Sequence, residues 1–285
     1  MDAAVVAEDL AYAYGELVAV DGVSFAVAPG EVFGVLGPNG AGKSTTIKLL
    51  TGQLTPAAGR VAVLGLDGVA DRAAIQARIG VCFEEKNVYP NLSARENLRF
   101  FGRLFGIREL DVDALLARVG LSERGGDRVS GYSKGMRQRL MVARALVNAP
   151  DVLFLDEPTD GLDPVSARTI RRLIRDEAAR GAAVLLTTHD MYEADELADR
   201  VAFIDTGRIL AMDAPEELKL RHGTRSVRVR LRGAGGIEEQ VISLDGDGDT
   251  DLLADLVGRP EVLTIHTEEA TLEDVFVAFA GRGLT

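Results

Sequence analysis

The sequence predicts an α/β fold in which a mainly parallel β-sheet is covered by helices. Short apolar runs alternate along the chain with stretches of helical spacing, and this alternation is typical of parallel sheets with helices on both faces. The chain has 285 residues, enough for one large unit and a small one. Buried strands are predicted at residues 31–36, 61–64, 79–83, 152–155 and 183–187.

Antiparallel strands are predicted to open the chain. Residues 18–20 and 23–27 are rich in β-branched side chains, and turn-forming pairs interrupt them at Asp21-Gly22 and Pro29-Gly30. We therefore expect an N-terminal antiparallel β subdomain ahead of the parallel sheet.

Changes in the hydrophobic pattern along the chain predict two further parts of the protein. A segment at about residues 86–148 is rich in Leu, Arg, Glu and Ala at helical spacing, which predicts a helical lobe inserted into the sheet domain. The main domain is expected to span residues 1–221. Residues 222–285 mix strand and helix patterns and predict a small C-terminal α+β accessory domain.

The composition excludes several classes of protein. The formal net charge of −12 argues against nucleic acid as a partner, because that affinity comes largely from Lys and Arg neutralising phosphates. No stretch approaches the roughly 20 apolar residues that span a bilayer. The N-terminus shows no secretory signal, so we expect a cytoplasmic protein. The single cysteine, Cys82, fits that compartment and is expected to be buried.

A complete phosphate-binding pattern lies between the predicted strand at 31–36 and a predicted helix. Glycines let backbone N–H groups converge on phosphate oxygens, the lysine reaches the β and γ phosphates, and the serine ligates Mg²⁺. We predict an ATP and Mg²⁺ site at this loop. Its residues are Gly37, Pro38, Asn39, Gly40, Ala41, Gly42, Lys43 and Ser44, with Thr45 beside them.

Two carboxylates, Asp156 and Glu157, follow the buried run at 152–155. Nucleotides bind at the carboxyl ends of strands in open α/β sheets, so both side chains are expected to lie near the phosphates. Asp156 is predicted to hold Mg²⁺, and Glu157 to orient the attacking water or to accept its proton.

With these motifs, a further signature segment and three more positions, the sequence resembles the ATP-binding-cassette (ABC) ATPases over about residues 5–218. The family's L-S-G-G-Q signature corresponds to residues 132–136, Tyr-Ser-Lys-Gly-Met, a form familiar from exporter-type cassettes. In the family this segment contacts the γ-phosphate held by the other subunit. The resemblance therefore implies that Ser133, Lys134, Gly135 and Met136 bind ATP.

The resemblance assigns the remaining site residues. Asp163, in Gly161-Leu162-Asp163, corresponds to the loop that crosses the dimer interface, and His189 to the histidine that contacts the γ-phosphate and the hydrolytic water. Tyr14 corresponds to the aromatic residue that stacks on adenine, with Tyr12 as its rival. Glu84 stands where the family has a glutamine, and a carboxylate there would still ligate Mg²⁺.

The function implied is that of the ATP-hydrolysing subunit of an ABC transporter, powering export of an unidentified solute. Two copies, or one copy and a paired cassette subunit, would sandwich two ATP molecules. Grooves near residues 84–90 would grip integral membrane permease subunits, which places the chain peripherally on the inner face of the cell membrane. A soluble cassette ATPase that remodels a protein complex and an importer ATPase remain alternatives.

Overall fold

The computed structural model describes residues 3–83, 87–223, 226–233, 236–244, 256–257, 259–268 and 270–282. The chain divides into two compact units, residues 1–213 and 214–285. The boundary therefore precedes the predicted one after residue 221. The difference arises because a helix, Pro215–His222, belongs to the second unit, where the ring of His222 packs edge-on against Phe279 at 4.8 Å.

The first unit is built on two sheets, and its fold confirms the predicted α/β class. One sheet is antiparallel, with the strand order β2-β1-β4-β5, and the other has the order β10-β9-β3-β8-β7-β6. In the second sheet all neighbours are parallel except the edge strand β10, which runs antiparallel to β9. The strands are β1 (Val5–Tyr14), β2 (Leu17–Val27), β3 (Val32–Leu36), β4 (Ala58–Val63), β5 (Leu66–Asp67), β6 (Ile79–Cys82), β7 (Val152–Asp156), β8 (Ala183–Thr188), β9 (Arg200–Asp205) and β10 (Arg208–Asp213).

Helices cover the mainly parallel sheet and also form the segment between β6 and β7. That segment carries three helices, α3 to α5, where the sequence predicts an inserted helical lobe. No helix in the described part of the chain is long and apolar enough to cross a bilayer. The helices of the first unit are α1 (Lys43–Leu50), α2 (Arg72–Gln76), α3 (Ala94–Leu104), α4 (Val112–Arg118), α5 (Lys134–Ala145), α6 (Pro164–Ala179) and α7 (Met191–Leu197).

Two strand predictions are wrong in detail. Residues 61–64 were expected in the parallel sheet, but residues 58–63 form β4 of the antiparallel sheet, joined to β5 by a tight turn with positive φ at Leu64 and Gly65. The β4 strand is exposed over its first half, unlike the fully buried strands β3, β7 and β8. Residues 18–20 and 23–27 belong to one strand, β2, which continues through an irregularity at Gly22.

The core lies on both faces of the mainly parallel sheet. Leu153 and Leu155 of β7 pack among the helices, whereas Val152 and Phe154 pack with the antiparallel sheet, because successive side chains point to opposite faces. Cys82 is fully buried, and this burial raises the pKa of its thiol to about 12. The register pairs the last residues of neighbouring strands, Leu36 with Thr188 and Asp156 with Thr187. Three strand ends are thereby fixed at one edge of the sheet.

The second unit has the α+β character predicted for the C-terminal residues. Its described strands form an antiparallel sheet in the order β12-β11-β13, and the small core includes Val227, Val229, Ile242 and Leu256. The elements are α8 (Pro215–His222), β11 (Ser226–Gly233), β12 (Gly236–Ser243), β13 (Val262–Glu268) and α9 (Leu272–Arg282).

Candidate nucleotide-binding and catalytic site

The phosphate loop (residues 37–44) connects β3 directly to α1, and two of its glycines are required by their surroundings. Gly42 precedes α1 with φ 106°, and a Cβ atom there would lie 2.3 Å from the carbonyl oxygen of Ala19. A Cβ atom on Gly37 would lie 2.1 Å from the carbonyl oxygen of Ile204. Any side chain at either position would therefore displace the neighbouring backbone.

The ammonium group of the loop lysine is held by backbone carbonyl groups at the start of the loop. Lys43 is only 5% exposed, and its ammonium group donates to the carbonyl oxygens of Gly37 at 2.7 Å and Pro38 at 3.2 Å. The same group lies 3.2 Å from Oε1 of Glu157. A buried ammonium needs such partners, since an unpaired charge in the protein interior is very costly. The loop and the end of β7 are thus joined through one cation.

Glu157 also contacts the predicted histidine. Its Oε2 lies 2.9 Å from Nδ1 of His189, and its own backbone has φ 49°, a strained value for a residue other than glycine. An ionised carboxylate only accepts hydrogen bonds, so Nδ1 of His189 donates to it and Nε2 points elsewhere. Lys43, Glu157 and His189 therefore form one continuous line of contacts.

A threonine that the sequence analysis missed orients both acidic residues. The hydroxyl of Thr187 donates to Oδ1 of Asp156 at 2.6 Å and accepts from the backbone N–H of Glu157 at 3.1 Å. Asp156 is 2% exposed, so this bond fixes a buried carboxylate. Threonine is common in strands, and for this reason the sequence holds no signal for this role.

One cavity of about 540 Å³ collects most of the predicted site. Gly37 and Ala41 belong to the loop without lining the cavity, and Asp156 is likewise not among the lining residues. Leu17, Ala19 and Asp160 line it although they were not predicted. The predicted residues that line it are Tyr14, Pro38, Asn39, Gly40, Gly42, Lys43, Ser44, Thr45, Glu157 and His189.

The structure distinguishes the two tyrosines considered for adenine. Tyr14 is 45% exposed and lines the cavity, while Tyr12 packs against the core cluster that includes the antiparallel sheet. The two rings meet edge-on with their centroids 5.0 Å apart. Tyr12 therefore packs against Tyr14, and of the two rings it is that of Tyr14 that is accessible to an adenine base from the cavity.

The signature segment (residues 132–136) does not line this cavity. Ser133 begins α5 as its N-cap, and its hydroxyl accepts from the backbone N–H of Met136 at 3.2 Å. Lys134 forms an ion pair with Asp160 at 2.8 Å. Gly135 lies against the side chain of Leu162. The segment therefore borders the cavity through the pair of Lys134 with Asp160, but its helix N-terminus does not line the cavity.

Asp163 has a similar position at the start of α6. Its carboxylate accepts from the backbone N–H groups of Val165 at 3.1 Å and Ser166 at 3.0 Å. Hydrogen bonds from Ser166 hold the pKa of Asp163 below its ordinary value, so the exposed carboxylate is ionised at neutral pH. The side chain caps its own helix, and it does not line the cavity.

The oxygen donors at the site suit Mg²⁺. Ser44 lines the cavity, Asp156 supplies a carboxylate at the end of β7, and hard oxygen ligands of this kind are those that Mg²⁺ takes beside phosphates. Oε1 of Glu157 is buried and lies 3.2 Å from the ammonium group of Lys43, but it has no hydrogen bond of good geometry among the residues that the structure describes. Glu84, the third predicted ligand, lies outside the described residues. Among the residues that the structure describes, no three His, Cys, Asp or Glu side chains gather as a metal cluster.

Comparisons with known proteins identify the family of the chain. A family model described as "ABC transporter" matches residues 20–160. The fluoroquinolones export ATP-binding protein of Mycobacterium tuberculosis (strain ATCC 25618 / H37Rv) is 50% identical over 268 residues, which cover 94% of this chain and 89% of that protein. The daunorubicin resistance ATP-binding protein of Streptomyces coeruleorubidus is 39% identical, covering 98% of this chain and 96% of that one.

A solved structure matches the fold as well. That structure is cbiO1 from Clostridium perfringens, described as part of the ABC transporter complex cbiONQ. It superposes with a TM-score of 0.69 and 28% sequence identity, over 78% of this chain and 93% of that one. The identity and coverage of these relatives show that the chain belongs to the ABC transporter family of ATP-binding proteins.

Proposed function

We propose that this chain is the ATP-hydrolysing subunit of an exporter, working with a second cassette beneath membrane permease subunits. The observation that carries the proposal is the line of contacts from Lys43 through Glu157 to His189 along the cavity of the phosphate loop. A module that only sensed nucleotide would not need a carboxylate and an imidazole in contact beside the phosphates.

Each residue of this line has a chemical role in hydrolysis. Lys43 would bind the β and γ phosphates, and Ser44 and Asp156 would hold Mg²⁺, which neutralises phosphate charge when bound. Glu157 would accept a proton from the attacking water, and His189 would contact the γ-phosphate through the nitrogen that Glu157 leaves free. Tyr14 would stack on adenine at the exposed side of the cavity.

A second copy would supply the groups that one chain does not bring to its own cavity. Ser133 stands at the N-terminus of α5, where backbone N–H groups and the helix dipole attract an anion. Because the signature segment lies off the cavity, we propose that it faces the ATP of the partner subunit. Asp163 would then lie at the interface between the two copies.

The permease subunits would dock in a groove of about 370 Å³ in the first unit. Phe101, Leu104 and Phe105 of the α3 region line it, and Leu104 is 66% exposed. Arg144 stands over the ring of Phe101 at 5.0 Å and donates to the carbonyl oxygens of residues 81 and 87. A groove lined by these apolar side chains fits a short helix of a membrane protein. Docking there would place the chain on the cytoplasmic face of the membrane.

Export is favoured by the names of the similar proteins. The mycobacterial relative is named for export of fluoroquinolones, and the Streptomyces relative for daunorubicin resistance. We extend the direction of transport to this chain, and leave the solute to the permease subunits that contact it.

The proposal is tested by Glu157→Gln. The variant should bind ATP and accumulate as a closed dimer, with phosphate release about 100-fold slower or more, because a general base contributes at least that factor. Size-exclusion chromatography with ATP and steady-state phosphate release measure the two effects, with Glu16→Gln in an exposed turn as the control. Turnover equal to that of the unaltered chain would remove Glu157 from catalysis.

A further inference from the structure

A buried carboxylate close to the site has no part in the chemistry described so far. Glu193 of α7 is 1% exposed, and its Oε1 accepts from the hydroxyl of Thr159 at 2.5 Å. Its Oε2 is buried without a hydrogen bond of good geometry among the described residues. An apolar residue of similar size would avoid the cost of burying this group, so its presence requires a reason.

The Glu193 bond joins the two chain segments that carry Glu157 and His189. Thr159 follows Glu157 by two residues, after the end of β7. On the other side, His189 directly precedes Asp190, which caps α7 by accepting from the backbone N–H of Glu193 at 3.1 Å. The bond from Thr159 to Glu193 is therefore a second link between these segments, behind the 2.9 Å contact of Glu157 with His189.

The first link needs such support. Glu157 has φ 49°, and a strained backbone of this kind persists only where its surroundings hold it. His189 is more than half exposed, so packing alone restrains its ring little. Thr187 holds the backbone of Glu157, and Gln138 donates to the carbonyl oxygen of Pro158 at 3.2 Å. The bond from Thr159 is the contact that ties this segment to α7, so its loss would let the carboxylate shift relative to the imidazole.

We propose that Glu193 is a positioning residue for ATP hydrolysis: through Thr159 it holds the segment after Glu157 against α7, which keeps Glu157 and His189 in contact. The inference rests on the proposed hydrolytic function. Glu193 does not line the cavity of the phosphate loop, so it acts through other residues.

The charges around Glu193 are compatible with this role. Burial raises the pKa of its carboxyl above the ordinary value, and the hydroxyls of Thr159 and Thr188 oppose the rise. Asp190, the N-cap of α7, favours the neutral form, and Arg171 of α6 favours the charged one. Oε1 accepts the hydrogen bond from Thr159 in either form, so the link survives protonation of Oε2.

Three single variants and one double variant of the full chain test the inference. Thr159→Val removes the donor with little change of shape, Glu193→Leu removes the acceptor, and Glu193→Gln keeps a carbonyl acceptor. The first two should lower kcat roughly tenfold through misplacement of the general base. KM for ATP and the equilibrium Kd of ATP should change less than about twofold, because the phosphate loop is untouched. Glu193→Gln should keep most of the activity.

The double variant shows whether the two single variants act through one shared link or through two separate defects. Thr159→Val with Glu193→Leu should lose no more than the worse single variant, because both break the same link. Thr169→Val is the matched control, since the hydroxyl of Thr169 donates to the carbonyl oxygen of Val165 within α6. Thermal melts first establish which variants fold, and if Glu193→Leu does not, Thr159→Val and Glu193→Gln decide the question.

Wild-type kcat in folded Thr159→Val, or losses that add in the double variant, would overturn the positioning role alone. Absence of hydrolysis in the unaltered chain would instead overturn the proposed function. The two failures are therefore distinguishable.

Discussion

The phosphate loop and the signature segment belong to the same unit, yet only the phosphate loop lines the cavity with other predicted site residues of its own chain. At the phosphate loop, Lys43, Glu157 and His189 are already in contact across a shared cavity. At the signature segment, the hydroxyl of Ser133 caps its own helix, and nothing in that segment lines the cavity. One chain therefore brings together the residues proposed for hydrolysis, whereas the groups proposed to cover the γ-phosphate lie away from its own cavity.

The largest effect expected from this comparison is on ATP binding. Lys43→Met should weaken ATP binding roughly 100-fold, as expected when a charged hydrogen bond of about 3 kcal/mol is lost. Equilibrium titration with a fluorescent ATP analogue measures the change. Lys48→Met, later on α1 and outside the cavity, should bind as the unaltered chain does. Equal affinities in the two variants would contradict the role of Lys43.

The signature segment should respond differently. Ser133→Ala should leave ATP binding nearly unchanged but lower kcat roughly tenfold, the loss of about 1.5 kcal/mol from one charge-assisted hydrogen bond. It also removes a helix cap, which costs about 1 kcal/mol of stability. Ser93→Ala at the capping box of α3 is the control, because it loses a cap of the same kind away from the site. A kcat that falls equally in both variants would show that only stability matters.

The smallest effect concerns pH and the buried Glu193. Because burial raises its pKa, the folded chain keeps this proton at pH values where the unfolded chain has lost it. The contribution of Glu193 to stability is therefore full below pH 4.5, the ordinary glutamate value, and is lost as pH rises through the raised pKa. Glu193→Gln should remove this decline, which urea unfolding at a series of pH values measures. An unchanged pH dependence would contradict the raised pKa.

Features set by a local residue pattern could be predicted from the sequence, whereas features set by contacts between distant segments could not. The phosphate loop was predictable in full, because glycine, lysine and serine spacing is a local pattern and the structure shows why Gly37 and Gly42 allow no side chain. The strand end at Asp156 and Glu157 was predictable for the same reason.

Features that depend on pairing between distant segments were not predictable. The sheet to which residues 61–64 belong depends on pairing with β1, more than fifty residues earlier in the chain. Thr187 orients Asp156 across neighbouring strands, and Glu193 reaches Thr159 across a loop, yet neither residue type is unusual in its own element. Helix α8 joins the second unit through its contact with α9, which no local pattern reveals.

We propose that each ATP is covered by two chains. Mixing the Lys43→Met variant with the Ser133→Ala variant tests this arrangement most directly. Each variant alone lacks an intact site, but a mixed dimer combines the phosphate loop of the Ser133→Ala chain with the Ser133 of the Lys43→Met chain. We predict that ATP hydrolysis by the mixture rises well above that of either variant measured at the same total concentration. Hydrolysis no greater than the average of the two variants, in a sample shown to contain mixed dimers, would contradict the claim.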